Sequence, residues 1–199
     1  MKNSVLLVID VQNDFCRGGS LAVKGGDEIV PLINTLAREQ AHVVLTQDWH
    51  PAAHSSFASE HKGVAAFTQI EMPYGPQTLW PDHCIIGSSG TEFHKNLDVP
   101  HAELIIRKGF RKAIDSYSAF FENDHKTPTG LGGYLNERGF THIICVGLAF
   151  DYCVRYSAED AVKLGFQVDV IEAATRAIDL GGTAAATKKS FANRGIRLR

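Results

Sequence analysis

No stretch of this chain is apolar for long enough to cross a bilayer. The run nearest the N-terminus, in "MKNSVLLVIDVQ", offers five apolar residues before Asp10, too few for a signal segment. The protein is therefore expected to be cytoplasmic, with no membrane partner. Basic blocks longer than a pair are also missing and the formal net charge is −2, so the electrostatic footprint of a nucleic-acid binder is absent. No C-x-x-C pair suggests a structural zinc site, and in a reducing compartment Cys16, Cys84, Cys145 and Cys153 are expected to be free thiols. The glycine-rich "RGGSLAVKGG", 17–26, contains neither G-x-G-x-x-G nor G-x-x-x-x-G-K-[ST], and so supports no nucleotide cofactor.

What the chain does have is a globular balance, with 44% hydrophobic and 21% charged residues over 199 positions. That length suits a single domain, 1–199, with one core, and a small molecule is the default partner. Continuous apolar runs at 4–10, 42–48, 103–109, 142–148 and 167–173 read as buried parallel strands. Helical patterns lie between them: Ile29, Leu32, Ile33 and Leu36 after Asp27, a small-residue stripe from Val154 to Gly165, and a last helix over 181–195. Strands alternating with helices predict an α/β fold, a doubly wound and mostly parallel sheet covered by helices on both faces. The segment from Trp49 to Pro100 has no clear periodicity and holds five of the nine histidines, so ligands are expected there.

Sites in open parallel sheets lie beyond the carboxyl ends of the strands. Asp10, Asp48 and Lys108 each end a predicted strand, and Cys153 follows the fourth by a short turn. Singly, an Asp at a strand end is a common turn residue, a lysine is ordinarily at the surface, and a lone cysteine is ordinarily a small buried hydrophobe. Their convergence on one rim points instead to nucleophilic catalysis. Cys153, in the first turn of a helix, is the expected nucleophile, and the helix terminus and Lys108 should favour its thiolate. Asp10 is the candidate general base, with Lys108 holding it ionised. The backbone N–H groups of Ala149 and Cys153 are candidate donors to an oxyanion.

A second cluster joins "QDWHPAAH", 47–54, to "LWPDHC", 79–84. Residues two apart in an extended segment face the same way, so Asp48 and His50 can reach one ion, with His83 as a third ligand. This donor set suits one divalent ion, Zn²⁺, Fe²⁺ or Mn²⁺. His54, Ser56, Glu60 and His61 rank below these three as further ligands. Phe15, Trp80 and Tyr117 stand in loops, where aromatic walls would suit a flat ring.

At "VIDVQNDFCRGGSLAV", "TQDWHP", "LWPDHC", "RKG", "DSYSAF" and "CVGLAFDYCV" the chain closely resembles the nicotinamidases, also called pyrazinamidases, of the isochorismatase-like cysteine hydrolases. The matches run in family order along nearly the whole chain. The resemblance implies a Rossmann-like three-layer fold, an Asp10, Lys108 and Cys153 triad, and metal ligands at Asp48, His50 and His83. It further implies a metal-bound pyridine nitrogen, a carboxamide facing the thiol, Phe15, Trp80 and Tyr117 near the ring, a cis peptide between Leu148 and Ala149, and a role in NAD salvage. Nicotinamide and pyrazinamide are the implied substrates, and the family's range leaves a homo-oligomer open. Two departures matter: Phe150 stands where many members have Thr, and Ser56 before Phe57 leaves any fourth protein ligand unassigned. A related hydrolase of another small amide or ureido compound, and a non-enzymatic module that sequesters a metal or nicotinamide, are the competing readings.

Overall fold

The computed structural model describes residues 3–199. In chain order the strands are β1 (Ser4–Ile9), β2 (Val43–Asp48), β3 (Gln69–Met72), β4 (Gly75–Thr78), β5 (Leu104–Lys108), β6 (His142–Leu148), β7 (Gln167–Arg176) and β8 (Arg197–Leu198). The helices are α1 (Val30–Arg38), α2 (Leu131–Glu137), α3 (Arg155–Lys163) and α4 (Thr183–Arg194). Six strands form one parallel sheet in the order β5-β2-β1-β6-β7-β8. The expected doubly wound α/β arrangement is the one observed.

The reason β1 reads as an unbroken apolar run is visible in its packing. All six of its residues are buried, and the five apolar ones alternate between two hydrophobic clusters. Val5, Leu7 and Ile9 pack on the face covered by α2, α3 and α4, through Leu131, Leu135, Ala158, Ala161 and Phe191. Leu6 and Val8 pack on the opposite face with Val30, Ile33 and Ala37 of α1. A strand covered on both sides has no solvent face to mark with polar residues.

The structure adds elements the sequence pattern did not suggest. β3 and β4 form a separate antiparallel ribbon inside the aperiodic segment. α2 carries two glycines in seven residues, which weakens its propensity signal, and it is held by the burial of Leu131 and Leu135. β8 has only two residues. β7 runs on to Arg176, past 173, resuming its pairing with β6 after an irregularity between Cys145 and Gly147. Gly147 is required there: its φ is +113°, and a Cβ would lie 2.0 Å from the carbonyl oxygen of Ile9.

The chain runs outward from β1 to β2 and β5, and from β6 to β7 and β8. The topological switch therefore falls between the neighbours β1 and β6, and Asp10 and Cys153 leave the carboxyl ends of those two strands.

Candidate active site

Asp10 follows β1 with φ +48°, a left-handed conformation uncommon outside glycine. It is held by Thr46 of β2, whose hydroxyl donates to Oδ1 at 2.6 Å and accepts from the Asp10 N–H at 3.2 Å. Lys108, the last residue of β5, is fully buried. Its Nζ donates to Asp48 Oδ1 at 2.7 Å and to the Ser116 carbonyl at 2.9 Å, and lies 3.4 Å from Cys153 Sγ and 2.8 Å from Asp10 Oδ2. That last ion pair is out of hydrogen-bond alignment, so Asp10 Oδ2 is left without a hydrogen-bonded partner among the described residues. One oxygen each of Asp10 and Asp48 and the sulfur of Cys153 all fall within 4.8 Å of one another.

Electrostatics decide which of these groups carry charge. Burial opposes the ammonium of Lys108, but Asp10 and Asp48 outweigh it and push the group well above its ordinary value. Burial also opposes ionisation of Asp48, yet Lys108 and His50 hold that carboxyl well below the usual range. Asp10 goes the other way, raised by burial despite Lys108. Cys153 is pushed well above its ordinary value, because burial with Asp10 and Asp48 overcomes Lys108. This corrects the expectation of a resting thiolate. Cys153 does stand in the first turn of a helical segment, a wide turn over Phe150–Val154 leading into α3, but the sulfur is desolvated and faces carboxylates. A protonated thiol needs a base, and the open oxygen of Asp10 is the one within reach.

The other cluster brings three ligand-type side chains together. Asp48, His50 and His83 each offer a ligand atom within 4.8 Å of the others, and all three are buried. His50 Nδ1 lies 2.9 Å from the Gly109 carbonyl and His83 Nδ1 lies 2.8 Å from the Pro81 carbonyl. A carbonyl only accepts, so each Nδ1 carries a hydrogen, and in the neutral ring Nε2 keeps a lone pair. Those two nitrogens face Asp48 Oδ2 at 3.5 and 3.6 Å. His50 Nε2 is buried without a hydrogen-bonded partner. Against burial, Asp48 raises the His50 ring above its ordinary value; with both rings neutral, two lone pairs turned toward a carboxylate call for a cation among them, so the donor set fits a divalent ion.

None of the four further candidates joins this set. His54 spends both ring nitrogens, Nδ1 accepting from Ser56 and Nε2 donating toward the carbonyls of Arg111 and Ile114. Ser56 is thereby spent on His54, the ring of His61 meets the Ser55 carbonyl, and Glu60 is exposed.

Between the thiol and the Asp48, His50 and His83 cluster lies a narrow cavity open to the surface. Phe15, Trp80 and Tyr117 line it, as do Ala149 and Cys153. The peptide joining Leu148 to Ala149 is cis. The cavity wall also includes Asp115, Tyr152, Leu21 and Ile178, which the sequence reading did not single out. Tyr152 adjoins Cys153 in sequence and meets Trp80 edge-on at 4.8 Å. Phe150 points away from the cavity and packs on Phe191 of α4 at 5.6 Å, so its side chain fills the core where a hydroxyl would need a partner.

Two motif residues act through backbone. The Gln12 side chain donates to the Asp48 carbonyl and accepts its N–H, both at 2.8 Å, extending the sheet pairing past the end of β1. Asp14 accepts the N–H of Cys84 at 2.7 Å and of Ser20 at 3.2 Å, tying the Phe15 loop to the His83 loop.

Among the described residues no helix is long and apolar enough to cross a membrane, and all four cysteines are free and buried. The isochorismatase domain model matches residues 4–197. A nicotinamidase of Acinetobacter baylyi is 54% identical over 181 residues, 91% of this chain and 85% of that protein. A nicotinamidase/pyrazinamidase structure from Acinetobacter baumanii superposes with a TM-score of 0.98 at 52% identity, covering 100% of this chain and 96% of that one. A Pyrococcus horikoshii pyrazinamidase in complex with zinc gives 0.81 at 32% identity, over 99% and 98% of the two chains. With the family pattern spanning nearly every described residue and its rim of acid, lysine and cysteine standing at the switch point of the sheet, the chain belongs to the isochorismatase family.

Proposed function

We propose that the protein is a nicotinamidase that hydrolyses nicotinamide to nicotinic acid and ammonia, acts likewise on pyrazinamide, and serves NAD salvage. The observation that carries this reading is the placement of one aromatic-walled cavity between a buried thiol and a buried set of two imidazoles and a carboxylate. The names of the relatives point to the same chemistry. Asp48, His50 and His83 would hold one divalent ion, and zinc in the Pyrococcus relative makes zinc the first choice. That ion supplies a Lewis-acid anchor for a pyridine-type nitrogen.

The chain's own residues then do the following. Phe15, Trp80 and Tyr117 wall the ring and exclude water, so attack on the carboxamide carbon becomes a positioned event. Asp10 takes the thiol proton as the Cys153 sulfur attacks, and the N–H groups of Ala149 and Cys153 receive the developing oxyanion. Asp10 returns the proton to the amine, ammonia leaves, and a Cys153 thioester remains. Asp10 next accepts a proton from water, whose oxygen attacks the thioester, and the departing thiolate regains a proton. Nicotinic acid is released with the thiol restored. Lys108 stays charged throughout and balances the carboxylates beside it. Four free thiols suit a reducing compartment, and we place the enzyme in the cytoplasm.

The test is ammonia release from nicotinamide by the purified protein, before and after exhaustive chelation and with zinc, iron or manganese restored. Turnover that falls on chelation and returns with metal is expected. Absence of turnover with every metal would move the reading to another small amide.

A further inference from the structure

The β3–β4 ribbon belongs to no strand of the main sheet, yet one of its side chains is fully buried. Gln77 of β4 is 0% exposed, between the exposed Pro76 and the half-buried Thr78. Its Nε2 lies 2.7 Å from the Thr78 carbonyl, 2.9 Å from Asp115 Oδ2 and 2.8 Å from the Tyr117 hydroxyl oxygen. The first two partners can only accept, which fixes the amide with its nitrogen toward them, and since the nitrogen has two hydrogens for three acceptors, one hydrogen is shared with the Tyr117 oxygen. Its Oε1 accepts from Asn123 Nδ2 at 2.9 Å, and Asn123 Oδ1 in turn accepts the Tyr117 N–H at 2.9 Å. The same amide therefore restrains Tyr117 at its hydroxyl and, through Asn123, at its backbone.

The direction of these bonds sets what Tyr117 offers. Its oxygen receives Gln77 Nε2 and, at 3.2 Å, Trp80 Nε1. Both are donors and neither can accept, so the phenolic hydrogen is not used by them. Burial and the neighbouring Asp115 push the phenol well above its ordinary value, which keeps that hydrogen in place. Tyr117 also lines the cavity beside Cys153, whereas Gln77 does not reach it.

We propose that Gln77 is a positioning residue for substrate: by donating to the Tyr117 oxygen it aims the phenolic O–H into the cavity, where it binds an acceptor atom of a heteroaromatic amide. This rests on the amidase reading above. The ribbon is then part of the binding site, acting through one amide.

The test is a four-protein cycle on nicotinamide: wild type, Gln77→Met, Tyr117→Phe and the double variant, with metal content matched. Gln77→Met keeps length and removes both donors, and KM should rise about three- to tenfold with kcat within about twofold, the size of one neutral hydrogen bond. Tyr117→Phe should do the same. In the Tyr117→Phe background the Gln77 substitution should add less than about twofold, because its target is already gone. Full additivity, or an effect of Gln77→Met on kcat or thermal midpoint alone, would show that the glutamine only anchors the ribbon or Asp115 and would overturn the inference. A wild type that turns over neither nicotinamide nor pyrazinamide would instead bring down the amidase reading, and this inference with it.

Discussion

Lys108 Nζ donates a 2.7 Å hydrogen bond to Asp48 Oδ1, so the lysine beside the thiol is ion-paired with the carboxylate of the Asp48, His50 and His83 cluster. With Asp10 Oδ2 at 2.8 Å on the other side, the ammonium is the only cation among the groups around it that is charged without metal or protonated imidazole. Lys108→Met keeps the stem and removes the charge, leaving two buried carboxylates facing a thiol. Stability should fall by about 3–5 kcal/mol, as when one partner of a buried pair is lost, and turnover should vanish. Urea unfolding at neutral pH reads the first effect. A loss below about 1 kcal/mol would mean that the carboxylates are not held by this lysine.

Gly109, the residue after Lys108, sets the His50 ring. Its φ is +70°, and a Cβ there would stand 2.5 Å from His50 Cε1 and 2.8 Å from Nδ1. Its carbonyl also accepts the Nδ1 hydrogen. Gly109→Ala should displace the imidazole and weaken metal binding by about 10- to 100-fold, the usual cost of disturbing a ligand's supporting contacts. Competition against a chelator of known affinity measures it. Unchanged affinity would indicate that His50 is not a ligand.

These two residues show how legibility divides. Asp10, Lys108 and Cys153 could be read from the chain because each stands at the end of a strand or in the first turn of a helix, and the parallel topology sends such positions to one rim. Asp48 and His50 were legible from a spacing of two in extended backbone. What the sequence could not carry was distance-dependent. The protonation of Cys153 follows from burial against Asp10 and Asp48, and desolvation has no local signature. Likewise Asp115 and Gln77 meet across 38 positions, and a four-residue ribbon strand is too short to show a period. Gln12 looked like a motif letter, yet its amide stands in for backbone pairing with Asp48.

The packing of α3 on α4 has its own pH dependence. Glu159 receives Arg155 Nε at 2.9 Å and the Ser190 hydroxyl at 2.6 Å, with Arg194 Nε at 3.5 Å. Burial alone would raise its carboxyl, but Ser190 and Arg155 outweigh it and hold it below the ordinary 4.5. A depressed folded-state value means the contribution is present above 4.5 and is lost as pH falls through the lower folded value. Glu159→Gln should therefore cost on the order of 1 kcal/mol at pH 7, and the gap to wild type should narrow as the medium is acidified below that range. Urea midpoints of both proteins along a pH series would read the gap, and a gap that is constant with pH would assign the loss to packing alone.

The last prediction separates binding from chemistry. Cys153 contributes a sulfur to the cavity but no part of the Asp48, His50 and His83 set or of the aromatic walls. Cys153→Ala should lower ammonia release by at least about a thousandfold, since the nucleophile is gone while positioning remains. It should still bind nicotinamide, because ring contacts with Phe15, Trp80 and Tyr117 are intact, and Trp80 provides a fluorescence signal at the site. The small side chain also removes a protonated group held 3.4 Å from Lys108, without stranding a charge, so the fold should keep its stability within about 1 kcal/mol. Appreciable turnover by the alanine variant would exclude a thioester and leave direct attack by water, with Asp10 as its base, as the chemistry of this site.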